Sequence, residues 1–212
     1  MESASLKYLV QGFQGEGGIY MWGILVIAMI AWAMAIERIY FIFIKSSMGR
    51  AKFMSDLYKL IKAGDFAKAL KFSSSYELPI AKIMSAILVN KETGKDEMDK
   101  AVNEVFLTDV PRMQRYTPLL VVLANVATLL GLLGTIFGLL LAFDAVANVP
   151  AAQRAQALAT GIAIAMATTF FGLVVAIPLL VANGVIASHT DRLIEEMDEK
   201  SSKMINTFLK KD

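Results

Sequence analysis

Two stretches of this chain are long, apolar and free of charged side chains. They run from Pro118 to Phe143 and from Ala155 to Ser188. A third apolar stretch, from Gly17 to Ile44, is interrupted only by Glu37 and Arg38. Each exceeds the ~20 residues that an α-helix needs to cross ~30 Å of hydrocarbon. The sequence therefore predicts three transmembrane helices.

The composition supports the same class of protein. Of the 212 residues, 56% are hydrophobic and 19% are charged, whereas charged residues make up about 25% of an ordinary soluble domain. No strand-like alternation of apolar and polar residues persists along the chain. We therefore predict an all-α membrane protein, with long cytoplasmic extensions of the second and third helices.

The distribution of basic residues predicts the topology. Thirteen of the 21 lysines and arginines lie between Lys45 and Arg115, and five more lie between Arg192 and Lys211. The positive-inside rule makes both regions cytoplasmic, so a three-span chain has its N-terminus outside. The predicted parts are an amphipathic periplasmic segment (1–16), spans at 17–44, 118–147 and 155–188, a cytoplasmic helical region (45–117), a periplasmic loop (148–154) and a cytoplasmic tail (189–212).

The cytoplasmic region reads as a series of helices with identifiable ends. Gly64 is placed to end one helix and Asp65 to cap the next, Pro79 to begin a third, and Asp96 to cap a fourth. About 70 residues split by a membrane are not expected to form a core of their own. We expect this region to pack against neighbouring subunits.

Several functional classes are excluded by what the sequence lacks. There is no cysteine, and we find no nucleophile–base pairing, metal-ligand cluster or phosphate-binding loop. The protein is therefore predicted not to be an enzyme and to need no metal or cofactor. Its net charge of +2 reflects membrane topology and gives no reason to expect nucleic acid as a partner.

Small residues form a stripe on one side of each uncharged helix. At about 100° per residue, each set falls within roughly 40° of one direction. Lipid-facing positions do not need small residues, so the stripes predict close helix packing. The stripes comprise Ala124, Thr128, Gly131, Thr135, Gly138 and Ala142 in the second span, and Gly161, Ala165, Thr169, Gly172 and Ala176 in the third, with Thr168 beside them.

The threonines in these stripes permit two interpretations. If the stripes of several assembled subunits face one lumen, they form a narrow apolar duct with rings of hydroxyls. Alternatively, Thr135, Thr168 and Thr169 only bond to carbonyls three or four residues earlier, as threonine in membrane helices commonly does. Neither uncharged stretch contains an ionisable residue, so a partner must supply the acidic group if ions cross.

Two motifs in the spans resemble a known family. The run ATLLGLLGTIFGLLLAF, followed by LATGIAIAMATTFFGLVVAIP, is similar to the paired signature of the ExbB/TolQ/MotA proton-channel family. GGIYMWGILVIAMIAWAMAIERIYFI resembles the first span of the three-span ExbB branch, and AGDFAKAL resembles the cytoplasmic region. The resemblance implies a homo-oligomeric ring of five subunits around two copies of a single-span ExbD/TolR/MotB-like partner, whose transmembrane aspartate carries the proton.

The resemblance also assigns residues. It implies that Thr135 and Thr169 line the proton path, with Thr168 beside them, and that Pro178 kinks the third span, for which a simple packing kink is the alternative. Gly131, Gly134 and Gly138 match the family's small-residue face, which Gly161, Ala165 and Gly172 continue on the third span.

The chain departs from the family pattern at two positions. Ile164 stands eight residues before Gly172, where ExbB and TolQ proteins have a glutamate, and Thr128 stands where a proline is expected before LLGLLG. The driven system is therefore left open among TonB-type transport, Tol-type envelope maintenance, and gliding or other motility. The choice between protons and sodium ions is also open.

The remaining charged residues receive structural interpretations. Glu37 and Arg38 are expected to be interfacial or mutually paired, with inter-subunit contacts as the alternative. Asp144 is interpreted as a solvated helix end, His189 as a residue at headgroup level, and the run Asp191–Lys200 as a solvated helix face.

Together these observations predict a multi-pass subunit of a bacterial inner-membrane proton channel. The resemblance implies that it couples the proton motive force to mechanical work as a stator-type motor subunit, with itself, the single-span protein and membrane lipids as partners. The alternative is a non-conducting helical membrane scaffold.

Overall fold

The computed structural model of the chain describes residues 10, 12–14, 18–47 and 49–209. Every regular element among these residues is a helix, which confirms the all-α prediction. Most of the predicted periplasmic segment 1–16, and Gly17, lie outside the described residues.

Seven α-helices follow one another among the described residues from Gly18 onward. α1 (Gly18–Ile39) continues directly into a π-helix (Tyr40–Lys45), and a 3₁₀ turn (Ala151–Gln153) lies immediately before the last α-helix. The others are α2 (Arg50–Lys62), α3 (Phe66–Ser74), α4 (Pro79–Val89), α5 (Lys95–Gln114), α6 (Thr117–Asn148) and α7 (Arg154–Leu209).

Three helical runs are long and apolar enough to cross a membrane, which confirms the number of predicted spans. They are Gly18–Lys62, Lys95–Asn148 and Ala151–Leu209. The 56 residues of α7 would measure about 84 Å at 1.5 Å per residue, far more than the ~30 Å of hydrocarbon. The side on which each end lies stays a prediction.

The local signals for helix ends were correct at three positions and wrong at one. Gly64 has φ +77°, and the Asp65 carboxylate accepts a hydrogen bond from the Lys68 amide at 3.2 Å. The side chain of Lys68 also binds this carboxylate and holds the pKa of Asp65 below its usual value. Pro79 begins α4. Asp96 lies in the first turn of α5, and Gly94 occupies the N-cap position instead.

The chain divides into two compact units, which are described separately. The first contains the residues up to Ile36 together with Tyr116–Gly184, and the second contains Glu37–Arg115 together with Val185–Asp212. Most of the predicted cytoplasmic region and the tail therefore fall in the second unit, and α6 falls in the first.

The second unit buries a core of its own, to which the region between the first two spans and the tail both contribute. Packing of this region against neighbouring subunits stays a prediction. α4 lies at its centre, with Ile83, Met84 and Ile87 fully buried. The interpretation of Asp191–Lys200 as a solvated face was correct for only one side of the helix, since Leu193 and Met197 are buried. Further along the tail, Met204, Ile205 and Phe208 are also buried.

Three contacts join the tail to the rest of the second unit. Arg50 forms an ion pair with Glu196 at 2.8 Å, and the rings of Phe66 and Phe208 lie 5.8 Å apart. His189 stacks on Phe43, with ring centroids 4.2 Å apart. The C-terminal part of α7 thus contributes apolar surface to the core of the second unit.

Candidate functional site

The small-residue stripes of α6 and α7 face each other within one subunit. A Cβ added to Gly131 would lie 3.1 Å from the Thr168 carbonyl oxygen, and one added to Gly134 would lie 2.9 Å from the Thr168 hydroxyl. At Gly138 the added atom would lie 2.8 Å from the Cβ of Ala165. A larger residue at any of these positions would require the opposite helix or its side chains to move.

The glycines of α7 make equally close contacts from the other side. A Cβ at Gly172 would lie 2.7 Å from the Ala127 carbonyl oxygen. One at Gly161 would collide with the Cβ of Ala142. The structure thus brings Gly131, Gly134, Gly138, Gly161, Ala165 and Gly172 to a single helix–helix contact.

A pair of threonine hydroxyls bridges this contact. The Thr135 hydroxyl lies 2.9 Å from the Ala165 carbonyl oxygen, and the Thr169 hydroxyl lies 2.9 Å from the Gly131 carbonyl oxygen. The two hydroxyls also hydrogen bond to each other. The Thr135 hydroxyl lies 3.3 Å from the Gly131 carbonyl oxygen as well. Each hydroxyl has one proton to donate, so two protons are shared among four contacts, and the pair can exchange one donor arrangement for another.

Thr168 has a different environment. It is 1% exposed. Its hydroxyl lies 2.6 Å from the Ala165 carbonyl oxygen, three residues earlier in the same helix, and 3.3 Å from the Gly131 carbonyl oxygen of α6. Thr135 and Thr169 are only part-buried and reach across to the opposite helix. All three hydroxyls thus have an acceptor on the opposite helix, so the interpretation that they bond only within their own helix fits none of them.

A cavity of about 520 Å³ lies in the first unit beside the glycine contact. Gly138, Gly161 and Ile164 line it, together with the polar side chains of Gln156 and Thr160. Thr168 is among the lining residues, whereas the described lining includes neither Thr135 nor Thr169. Sequence reasoning missed Gln156 and Thr160, although their spacing of four residues, continued by Ile164, places the three on one side of the helix and was a usable signal.

No ionisable side chain lines this cavity or belongs to the threonine pair, among the residues that the structure describes. Asp144 is exposed near the end of α6. Within the same residues there is no group of three potential metal ligands. The site offers hydroxyls, carbonyls and close-packed apolar walls, so it can hydrogen bond to an acid but cannot supply one.

Pro178 lies inside α7, and its side chain is exposed. The helix is assigned without a break on either side of it. The kink expected at this position stays a prediction.

Glu37 and Arg38 pair with each other, as the sequence predicts. Arg38 also makes contacts that the sequence did not reveal. Arg38 Nε and Nη2 bind the Glu37 carboxylate at 2.5 and 2.6 Å. Nη1 donates to the carbonyls of Arg112 and Arg115, each at 3.1 Å. Arg38 thus ties the end of the first span to the end of α5, immediately before α6 begins.

Comparison with known proteins finds relatives that are named as biopolymer transport proteins of the ExbB type. A "Putative biopolymer transport protein ExbB homolog" from Methanothermobacter thermautotrophicus is 29% identical over 192 residues, covering 90% of this chain and 67% of the relative. A "Putative biopolymer transport protein ExbB-like 3" from Synechocystis is 30% identical over 173 residues, covering 81% and 82%. The "Biopolymer transport protein exbB1" of Vibrio cholerae is 21% identical over 202 residues, covering 94% and 88%.

A family model extends this likeness across the site. The model described as the MotA/TolQ/ExbB proton channel family matches residues 75–199, a range that contains the whole contact between α6 and α7. The resemblance drawn from the motifs is therefore confirmed, and the chain belongs to the MotA/TolQ/ExbB proton channel family.

Proposed function

We propose that this chain is the channel subunit of an inner-membrane motor. Copies of it assemble into a ring, with five as the number that the resemblance implies. The ring surrounds a single-span ExbD/TolR/MotB-like partner whose transmembrane aspartate carries the proton. Membership of a proton channel family supports the conducting role, and the names of the relatives, biopolymer transport proteins, favour transport across the envelope as the driven process.

The threonine pair is the observation that carries this proposal. Thr135 and Thr169 lie in the uncharged stretches of α6 and α7 and are part-buried, so a neighbouring helix can reach their hydroxyls. A hydroxyl donates to an ionised carboxylate and accepts from a protonated one. A pair that can change its donor arrangement therefore accommodates both states of a partner's aspartate.

The available energy is sufficient for such a cycle. Moving one charge through a potential of ~150 mV supplies roughly 3.5 kcal/mol. That amount biases a two-state rearrangement about 300-fold, since each 1.4 kcal/mol corresponds to a factor of ten. One proton per step is enough to favour one orientation of partner and ring over another.

Valine substitutions at Thr135 and Thr169 test the proton path, because valine keeps the shape and removes only the hydroxyl. We expect proton flux to fall at least about tenfold in each variant, as one hydrogen bond to the charged acid is lost. The measurement is proton uptake by liposomes containing the complex purified through a tag on this chain.

Thr128→Val is the matched control. Its hydroxyl donates only one turn back, to the Ala124 carbonyl at 3.2 Å, on the same stripe of α6. We expect this variant to conduct like the unmodified protein. Normal flux through Thr135→Val and Thr169→Val, with the partner present, would remove these residues from the path.

A non-conducting scaffold remains the second candidate because the small stripes are used for packing inside one subunit. The mass of the purified complex separates the two candidates. A ring with a single-span, aspartate-bearing partner supports the channel, and an assembly of this chain alone supports the scaffold.

A further inference from the structure

Two polar side-chain atoms in the first unit are buried and have no hydrogen-bond partner among the residues that the structure describes. They are the hydroxyl oxygen of Thr117, at the start of α6, and the amide oxygen of Asn183, in α7. Leaving a buried polar atom unsatisfied costs free energy, and such atoms in folded proteins normally have a partner. A group that binds these two oxygens is therefore expected.

The register of the contact between α6 and α7 places Thr117 and Asn183 at the same depth. The Thr169 hydroxyl lies beside the Gly131 carbonyl, where the two oppositely directed helices meet. Thr117 lies 14 residues before Gly131, and Asn183 lies 14 residues after Thr169. At about 100° per residue, 14 residues return to within roughly 40° of the same direction. Thr117 and Asn183 therefore occupy facing positions on the two small-residue stripes.

Apolar residues separate this level from the threonine pair. Leu120 and Ala124 of α6 are fully buried, and so is Leu179 of α7. At 1.5 Å per residue, Asn183 lies about 21 Å from Thr169 along α7. The positive-inside rule assigns this end of the two spans to the cytoplasm. The two oxygens thus lie near the cytoplasmic end of the helix contact, a few residues inside the predicted third span.

Water is the ligand whose hydrogen bonding matches both atoms. An amide oxygen only accepts hydrogen bonds, whereas a hydroxyl can also donate one. A single water molecule can therefore donate to Asn183 while it accepts from Thr117. Buried waters typically bind polar groups that are otherwise unsatisfied. Neither side chain is charged, so the pair suits an uncharged ligand better than an ion.

We propose that Thr117 and Asn183 bind water that enters between α6 and α7 from the cytoplasm. The water donates one hydrogen bond to the Asn183 amide oxygen and accepts one from the Thr117 hydroxyl. Its second hydrogen atom is free to bind a further water on the cytoplasmic side. The site marks how far cytoplasmic water reaches into the subunit, and it does not depend on whether the threonine pair conducts protons.

Cysteine labelling tests the site, because the chain has no cysteine of its own. Asn183→Cys and Thr117→Cys are made singly in the full-length protein and studied in inner-membrane vesicles of either orientation. The reagent is trimethylammonium-ethyl methanethiosulfonate, which is charged and does not cross the membrane. It reacts with thiolate, which forms in contact with water. We expect both cysteines to be labelled when the cytoplasmic face is outward and to remain unlabelled in the opposite orientation.

Val181→Cys and Val185→Cys are the matched controls. Their positions lie two residues to either side of Asn183, on the opposite side of the helix, and are 63% and 55% exposed. We expect both to react at least about tenfold more slowly than Asn183→Cys, because lipid surroundings raise the pKa of a thiol by a unit or more. Since the controls flank Asn183, depth in the membrane alone would not produce this order.

The stability of Asn183→Leu provides a second measurement that needs no labelling. Leucine has a similar size but cannot bind water. If water is bound, the substitution removes its hydrogen bonds and lowers stability, whereas replacing a dry, unsatisfied amide raises it. We expect a lower midpoint than that of the unmodified protein in a titration with denaturing detergent.

Three outcomes would overturn the proposal. Labelling of Asn183→Cys as slow as that of the two valine positions would show that water does not reach this level. Labelling that begins only after the complex is dissociated in detergent would show that another chain, and not water, covers the amide. A higher midpoint for Asn183→Leu than for the unmodified protein would show that the amide is dry.

Discussion

Replacing Arg38 with methionine is expected to lower the free energy of unfolding by about 3–5 kcal/mol. The guanidinium is 5% exposed and donates to two carbonyls at the end of α5. Hydrogen bonds from a charged group contribute roughly 1.5–3 kcal/mol each. A cation at the C-terminal end of a helix is also favoured by the helix dipole. Methionine has a similar length but supplies neither hydrogen bonds nor charge.

Arg38→Lys separates the contribution of charge from that of geometry. Lysine keeps the positive charge but cannot bind Glu37 through two nitrogens while donating to both carbonyls, so we expect an intermediate loss. Arg192→Met is the matched control, because Arg192 is exposed in the same unit and should change stability by less than about 0.5 kcal/mol. Unfolding is followed by far-UV circular dichroism during titration with denaturing detergent. Equal stabilities of Arg38→Met and Arg192→Met would refute the anchoring role.

The role of Arg38 could not have been predicted from the sequence. The local pattern indicated pairing with Glu37 because the two residues are adjacent. The carbonyls that Arg38 also binds lie 74 and 77 residues further along. Backbone acceptors carry no sequence signal, so a long-range bond to them becomes visible only when the fold is known.

The spans and their small faces were predictable because both follow from periodicity within a single helix. Periodicity does not reveal which residues lie opposite each face. The sequence left open whether Gly131 and Gly172 face a lumen or another helix, and the structure packs them against each other within the subunit. The threonines made this distinction hard, because Thr135 and Thr169 lie on the same stripes as the glycines and yet remain part-exposed.

The core of the second unit could not be predicted from one region of the sequence alone. The region between the first two spans was judged too small to form a core, since only its own residues were counted. The tail contributes Leu193, Met197 and Ile205 across a gap of more than 75 residues in sequence. The apolar side of the helix is not evident in the charged run Asp191–Lys200, because few apolar residues, spaced by four, lie among the charged ones.

Gly172→Ala is expected to destabilise the protein by about 3 kcal/mol, at the upper end of the usual cost of overpacking. The added carbon would lie 2.7 Å from the Ala127 carbonyl oxygen and 3.3 Å from the Cα of Gly131. These are backbone atoms, so the two helices must separate. Gly184→Ala is the control on the same helix, because its added carbon meets nothing within 4 Å and alanine favours helix.

Measuring proton flux in the same variants separates packing from chemistry. Separation of α6 from α7 stretches the 2.9 Å contact between Thr169 and the Gly131 carbonyl, so Gly172→Ala should lose flux and stability together. Thr135→Val should lose flux with only about 1 kcal/mol of stability, since one hydroxyl is removed and the packing stays. If Gly172→Ala were as stable as Gly184→Ala, the close contact would be absent from the assembled protein. If Thr135→Val lost as much stability as Gly172→Ala, its hydroxyl would be structural, and the proton path would have to be sought elsewhere.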